Sequence, residues 1–349
     1  MSMTEYLLEQ VNRHPSMQAQ DMIKLCYQAA HGAEHLLSDL DAAKTYLEKE
    51  YDAVEAEDIA LYEVISDRIC RVNLAAWKTR KLPIEWLFYM FVSSALVNEG
   101  AASKFTEYLN VADDLVKQSN VGIAISDWQE YLAEYKEKGM PAVHHSAVYR
   151  EAERPAYRIV KTGFVRLLPI LEHIAMALKK DGPYVVAIDG RAASGKSTMA
   201  EQLSKMLGTD VIHMDDFFLP PQLRTSERMV EPGGNVHYER FAEEVLPYLA
   251  GSELFAYRKF DCSKMDYNGE CIIGNTQIRI VEGSYSHHPK FGKYADLKVF
   301  SEVETKEQMR RIERRNGEQM AKMFCDKWIP MEERYFECFD ISKHADLIV

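Results

Sequence analysis

Apolar residues recur at three-and-four spacing through most of the first half of the chain, and that spacing predicts amphipathic helices. The segments MTEYLLEQVNRH, AQDMIKLCYQAAHGAEHLL, DLDAAKTYLEKEYDAV, PIEWLFYMFVSSALVNEG and ISDWQEYLAEYKEKG each carry the period. Pro83 stands near a helix start, and Gly100 and Gly139 stand at helix ends, where each residue's backbone preference suits the position. TGFVRLLPILEHIAMALKKDGP reads as one more helix, closing at Asp181-Gly182-Pro183. The pattern predicts an all-α domain over residues 1–180.

From Tyr184 the period changes. Short β-branched runs (YVVAIDG, DVIHMD, IRIVEG, ADLKVFSEV, ADLIV) alternate with helical stretches at Lys196–Leu207, Tyr238–Leu249, Lys306–Asn316 and Met320–Phe339. Runs without polar alternation suit strands buried on both faces, and their alternation with helices suits a parallel sheet with crossovers. An antiparallel hairpin is expected over SELFAYRKFDCSKMDYNGECIIGN, with Asn268-Gly269 as its turn. Residues 181–349 therefore read as a three-layer α/β domain.

Composition adds boundaries rather than a function. A length of 349 residues, 47% apolar and 28% charged, fits two globular domains. A net charge of −12 argues against a general nucleic-acid binder, which needs a basic surface to release counterions. The most apolar run, Trp86–Val97, is too short to span a bilayer. The start, MSMTEYLLEQ, has neither the basic nor the apolar region of a secretory signal. Six scattered cysteines without CxxC pairs fit reduced thiols, so a cytoplasmic protein is expected. The last strand, ADLIV, leaves a sheet edge that the helical domain or a homodimer partner could cover.

The first chemistry lies at the end of the first predicted strand. GRAASGKST, Gly190 to Thr198, matches G-x-x-x-x-G-K-[ST] between a strand and a helix. Gly190 and Gly195 let the backbone wrap closely around phosphates, with Ala193, Ser194 and Thr198 completing the loop. Lys196 reaches the β and γ phosphates, and Ser197 supplies an oxygen to Mg²⁺. ATP and Mg²⁺ are the expected cofactors. Two further strands end in acids, at Asp215-Asp216 and at Glu282, on the edge where parallel sheets bind ligands. One carboxylate can orient the metal while the other takes a proton from an attacking hydroxyl, a division of labour that suits a small-molecule kinase.

The blocks IDGRAASGKST, HMDDFF, HYERF, AYRKFD, VEGSYSHHP, RRIERRNG and ERYFECFDISKHADLIV, in that order, resemble the uridine kinase/phosphoribulokinase family of P-loop kinases over Tyr184–Val349. The resemblance implies a P-loop kinase domain that transfers the γ-phosphoryl group of ATP to a hydroxyl. It makes Asp215 the base for that hydroxyl, close to the metal that Ser197 and Glu282 hold. It makes Arg311 and Arg315 the lid arginines over the phosphates. On the acceptor side, His237 and Tyr257 match family positions, Phe218 would wall the pocket, and His287 would line it beyond Glu282. The chain departs from the pattern at Val236, where nucleoside kinases carry the aspartate that clamps ribose. The acceptor is therefore open among nucleoside-like, sugar-like and other small metabolites, and Arg258 on the hairpin would favour an anionic one.

The helical half carries its own candidate chemistry. HGAEH, His31 to His35, fits H-x-x-E-H, and a second pair, His144-His145, follows later. His31, His35 and one of the second pair could hold a metal; the alternative is buried histidines satisfied by neighbours such as Tyr149 or Arg150. Three classes of function remain: a kinase, a nucleotide-sensing regulatory protein without turnover, and a bifunctional protein with a metal site in the helical domain.

Overall fold

The computed structural model describes residues 2–32, 39–95, 101–118, 121–251 and 253–349. The chain divides into two compact units, Met1–Arg166 and Leu167–Val349. Helix Leu168–Ala177, with a proline in its first turn, belongs to the second.

The first unit is mainly helical. Helices Met3–Arg13, Ala19–His31, Ala101–Lys117 and Ile125–Glu137 enclose a core that includes Leu7, Met22, Ile23, Cys26, Phe105, Leu109, Ala112 and Trp128. Ser2 caps the first helix in a reciprocal box with Glu5, which satisfies two of its orphan amides. The expectation of an all-α domain needs correction. Strands β1 (Tyr62–Val64), β2 (Ile69–Asn73) and β3 (Tyr157–Lys161) form an antiparallel sheet in the order β1-β2-β3. The central ICRVN strand is only five residues long and one of its partners, YRIVK, lies far along the chain, so neither declares itself by local periodicity. Helix Ala101–Lys117, to which the sequence reading assigned no element, buries Phe105, Leu109, Ala112, Leu115 and Val116.

In the second unit five strands form one parallel sheet: β4 (Tyr184–Gly190), β5 (Val211–His213), β8 (Ile278–Glu282), β9 (Leu297–Ser301) and β10 (Leu347–Ile348), in the order β10-β9-β4-β8-β5. β4 is central, with later strands added on both sides, so its carboxyl end is a topological switch point where ligands bind. Val185, Ile212, Val281 and Phe300 pack with Phe241, Tyr335 and Phe336 from helices Tyr238–Glu244 and Ile329–Cys338. Helix Lys196–Leu207 packs on β4, β5 and β8. The sheet with its helices is the expected α/β architecture.

β6 (Phe255–Asp261) and β7 (Asp266–Ile273) form the expected hairpin, but its turn is elsewhere. Asp261 faces Asp266, so the chain reverses through residues 262–265, with Met265 at φ 55°. The Asp261 carboxylate accepts from Ser263 N at 2.9 Å and Ser263 Oγ at 2.6 Å, an aspartate-capped turn that outcompetes Asn-Gly. Asn268-Gly269 instead falls where the register shifts between Arg258 and Phe260, and Gly269 takes φ 83° there.

Candidate active site

The phosphate loop leaves β4 at Gly190, whose φ is 141°. A Cβ at that residue would stand 2.1 Å from the Ser301 carbonyl oxygen on β9, so no other side chain fits. Gly195, at φ 99°, turns the loop into helix Lys196–Leu207, whose free amides point back along the loop. Lys196 is nearly buried, and its Nζ donates to the carbonyls of Gly190 at 2.7 Å and Arg191 at 2.8 Å. Ala193 takes a left-handed φ of 56°, and Ser194 is buried, while Ser197 and Thr198 are exposed on the first turn of the helix.

The two acidic strand ends converge on this loop. Ser197 Oγ donates to Glu282 Oε2 at 3.2 Å, so the expected pair of metal ligands is assembled at one point. Glu282 is buried at the end of β8, and its other oxygen lies 2.6 Å from His213 Nδ1 at the end of β5. That contact holds the His213 imidazole above its usual range. Asp215 sits two residues beyond, on the single turn Met214–Phe217, with its surface open to solvent. Protein crowding, followed by the Glu282 charge, raises its carboxyl; Lys196 and His213 pull it back down. Asp215 therefore shares one electrostatic environment with Lys196 and Glu282. Its neighbour Asp216 is engaged elsewhere. It is buried and accepts from the Tyr257 hydroxyl at 3.0 Å.

The donor set fits a nucleotide with a divalent cation. A serine hydroxyl and a carboxylate oxygen meet 3.2 Å apart at a helix N-terminus beside an ammonium, the hard-oxygen chemistry Mg²⁺ prefers.

The two arginines expected at a lid separate. Arg311 Nη1 donates to the Ala193 carbonyl at 3.2 Å and the Ser194 carbonyl at 3.5 Å, and its Nε to Glu307 at 2.7 Å. Arg315, one turn further along helix Thr305–Asn316, is exposed and bonds Asn316 at 2.8 Å. The acceptor-side residues separate as well. Phe218 is half-buried and bridges to Val236. His237 donates its backbone N–H to Phe217 at 2.7 Å, and its Nδ1 is buried with no partner among the described residues. Tyr257 is fully buried and committed to Asp216. Arg258 turns to Glu244, donating from Nε at 2.7 Å and Nη2 at 2.5 Å. His287 is buried behind the sheet edge, its Nε2 3.1 Å from the Ala187 carbonyl.

Three residues that the sequence reading passed over organise the site. Asp189, fully buried within β4, accepts from Gly190 N at 2.7 Å, Tyr285 N at 3.1 Å, His287 N at 2.9 Å and the Tyr335 hydroxyl at 2.9 Å. It ties the loop after Glu282 to the phosphate loop, and an acid inside VVAIDG was a readable signal. Glu332 is also buried and accepts from Ala192 N at 2.9 Å and Ser284 Oγ at 2.7 Å. His213 is the third. Its signal was its place two residues before Asp215.

In the helical unit His145 Nδ1 lies 2.9 Å from Asp21 and Nε2 lies 2.7 Å from the Tyr157 hydroxyl, so both ring nitrogens are engaged. Its ring stacks on Tyr149, as one of the alternatives expected. His31 stacks on Tyr27 at 4.4 Å, His144 is exposed, and His35 lies outside the described residues. Among the described residues no three His, Cys, Asp or Glu side chains converge on a metal position. None of the described helices is long and apolar enough to cross a membrane.

No family model matches the chain. It is similar to the solved structure of a protein described as a possible uridine kinase from Bacillus stearothermophilus, with 21% identity over 53% of this chain and 97% of that one, TM-score 0.42. It is also similar to a protein provisionally named fructose transport system kinase from a Silicibacter species, with 22% identity over 52% of this chain and 98% of that one, TM-score 0.43. Both likenesses span about half of this chain.

Proposed function

We propose that the second unit transfers the γ-phosphoryl group of ATP, with Mg²⁺, to a hydroxyl of a small molecule. The reading rests on one observation: Glu282 and Lys196 both act on the Asp215 carboxyl at the carboxyl edge of a parallel sheet, with Ser197 bonded to Glu282. The loop amides and the helix N-terminus receive the triphosphate, and Lys196 exchanges its two carbonyl contacts for phosphate oxygens. Ser197 and Glu282 would hold Mg²⁺, which supplies charge neutralisation across the phosphates. Asp215 accepts the hydroxyl proton as the acceptor attacks, and Arg311 adds a cation from the far side of the loop. An alcohol phosphotransferase of this kind needs no nucleic acid and no membrane, and six free cysteines suit a reducing cytoplasm.

The test is acceptor-dependent ADP release, screened over nucleosides, sugars, sugar phosphates and small hydroxy acids. An acceptor should emerge whose turnover falls roughly 10²–10⁴-fold in Asp215→Asn, the usual contribution of a general base. ATP binding without ADP release from any class would replace the enzyme with a nucleotide-sensing protein.

A further inference from the structure

The helical unit contains a buried polar chain that phosphoryl transfer does not use. It starts at Asp21, fully buried on helix Ala19–His31. Its carboxylate accepts from Ser146 N at 2.9 Å, Ser146 Oγ at 2.7 Å and Gln18 N at 3.1 Å. Because Asp21 is an acceptor, His145 carries its hydrogen on Nδ1, and Nε2 accepts from the Tyr157 hydroxyl. Gln28 Nε2 donates to that hydroxyl at 3.0 Å, and its Oε1 accepts from Arg71 Nη2 at 2.8 Å. Arg71 Nη1 donates to Gln10 at 3.1 Å, and the guanidinium lies 4.5 Å from the Tyr157 ring centre. Five separate segments meet here, and the chain ends on an arginine.

Two donors are left over at that end. Arg71 Nε and the Tyr6 hydroxyl are buried and have no hydrogen-bond partner among the described residues. Tyr6 is 0% and Arg71 6% exposed. They lie on the same side of the first helix: Arg71 Nη1 donates to Gln10, which stands one turn beyond Tyr6 on the buried face of Met3–Arg13. Buried donors are nearly always satisfied, so two of them at one guanidinium call for an acceptor the protein does not itself supply.

The charge balance says what kind. Lys24 and Arg150 add to Arg71, and burial followed by the Arg71 charge lowers the Lys24 ammonium to about 8. Against these stand Asp21, already engaged with His145, Ser146 and Gln18, and Glu63. Glu63 approaches Arg71 at 3.6 Å but also binds Gln10 at 2.5 Å and Arg13 at 2.7 Å. Positive charge and unused donors together suit an anion with two oxygens, which an arginine edge and a phenol can share. We infer that the helical unit holds a small oxyanion, a carboxylate or phosphate group, between Arg71 Nε and the Tyr6 hydroxyl. The site is independent of the kinase reading.

The full chain and its Lys196→Ala variant would be titrated calorimetrically with inorganic phosphate and, separately, with formate. Lys196→Ala matters because the phosphate loop binds phosphate too. The expected result is one-site binding that persists in Lys196→Ala and weakens roughly tenfold or more when Tyr6→Phe is added, the scale of a hydrogen bond to a charged group. A stronger response to phosphate or to formate identifies which group the site takes. Tyr6→Phe removes a single oxygen, and circular dichroism confirms that the variant folds. Arg71→Lys, which keeps the charge but loses Nε, should weaken binding as well. Loss of all binding in Lys196→Ala, binding indifferent to Tyr6→Phe, or no binding of either anion would overturn the site and leave ordered water on those donors.

Discussion

His213 Nδ1 lies 2.6 Å from Glu282 Oε1, and the two residues share one register position on neighbouring parallel strands. Glu282 thereby presents one oxygen to Ser197 and anchors the other on an imidazole. Partners that orient a metal-holding carboxylate typically contribute 10–100-fold to metal affinity. His213→Ala should raise the Mg²⁺ concentration that half-saturates ATP turnover by about that factor, with ATP affinity in the absence of metal little changed. An unchanged Mg²⁺ half-saturation would show that the contact is incidental.

Gly190→Ala should unfold the second unit more readily. Its Cβ would meet the Ser301 carbonyl at 2.1 Å, and a φ of 141° is strained for any side chain. Backbone strain of roughly 1–3 kcal/mol adds to overpacking of similar size. Urea denaturation should therefore show a loss of about 2–5 kcal/mol. A loss below 1 kcal/mol would mean that β4 and β9 can separate at the loop.

Much of the second unit was legible because its elements are local and repetitive. Strand and helix periods, the Gly190–Thr198 motif and the acids at Asp215 and Glu282 all announce themselves within a few residues. What stayed hidden depends on distant pairing. Glu332 reaches Ala192 across 140 positions, and nothing near it in sequence says so. Tyr257 looked available to an acceptor until Asp216 was found to hold its hydroxyl, and Arg258 until Glu244 was found beside it. β2 and β3 pair across some 90 residues, so the sheet in the helical unit could not be read from period alone. The hairpin turn failed for a different reason, since a side-chain cap at Asp261 competed with a good Asn-Gly signal and won.

The helical unit should lose stability as the pH falls from neutral towards 4. Burial lowers the His145 imidazole from a usual value near 6.5 to about 4, although the Asp21 contact works against it. Between those values the unfolded chain takes up a proton that the folded one refuses, so protons favour unfolding. The contribution is complete above pH 6.5 and disappears on approaching pH 4. It amounts to at most about 3.5 kcal/mol, at about 1.4 kcal/mol per unit. His288 in the second unit, also lowered to about 4 chiefly by burial, acts in the same direction. Denaturation of His145→Gln should vary less between pH 7 and 4.5 than that of the unaltered chain. An identical pH slope would mean that His145 is protonated in the folded protein.

Glu332 offers a way to separate scaffold from charge in the phosphate loop. One of its oxygens accepts from Ala192 N and the other from Ser284 Oγ, which also lies 3.3 Å from the Gly190 carbonyl. In Glu332→Gln the amide oxygen can keep Ala192, while the amide NH₂ donates to the serine oxygen and the serine hydrogen turns to Gly190. The loop should hold its shape, and a negative charge close to Lys196 disappears. ATP affinity in Glu332→Gln should therefore be equal to that of the unaltered chain or up to about tenfold tighter, since attraction at the triphosphate is no longer offset. Glu332→Ala removes the same charge but strands a buried amide, which costs roughly 1–3 kcal/mol. Its thermal midpoint should fall where that of Glu332→Gln does not. Calorimetric titration with ATP and thermal unfolding of both variants distinguish the two contributions. If Glu332→Gln instead loses ATP affinity, the carboxylate charge itself is needed at the loop, and a contact with the nucleotide's cation becomes the reading to pursue.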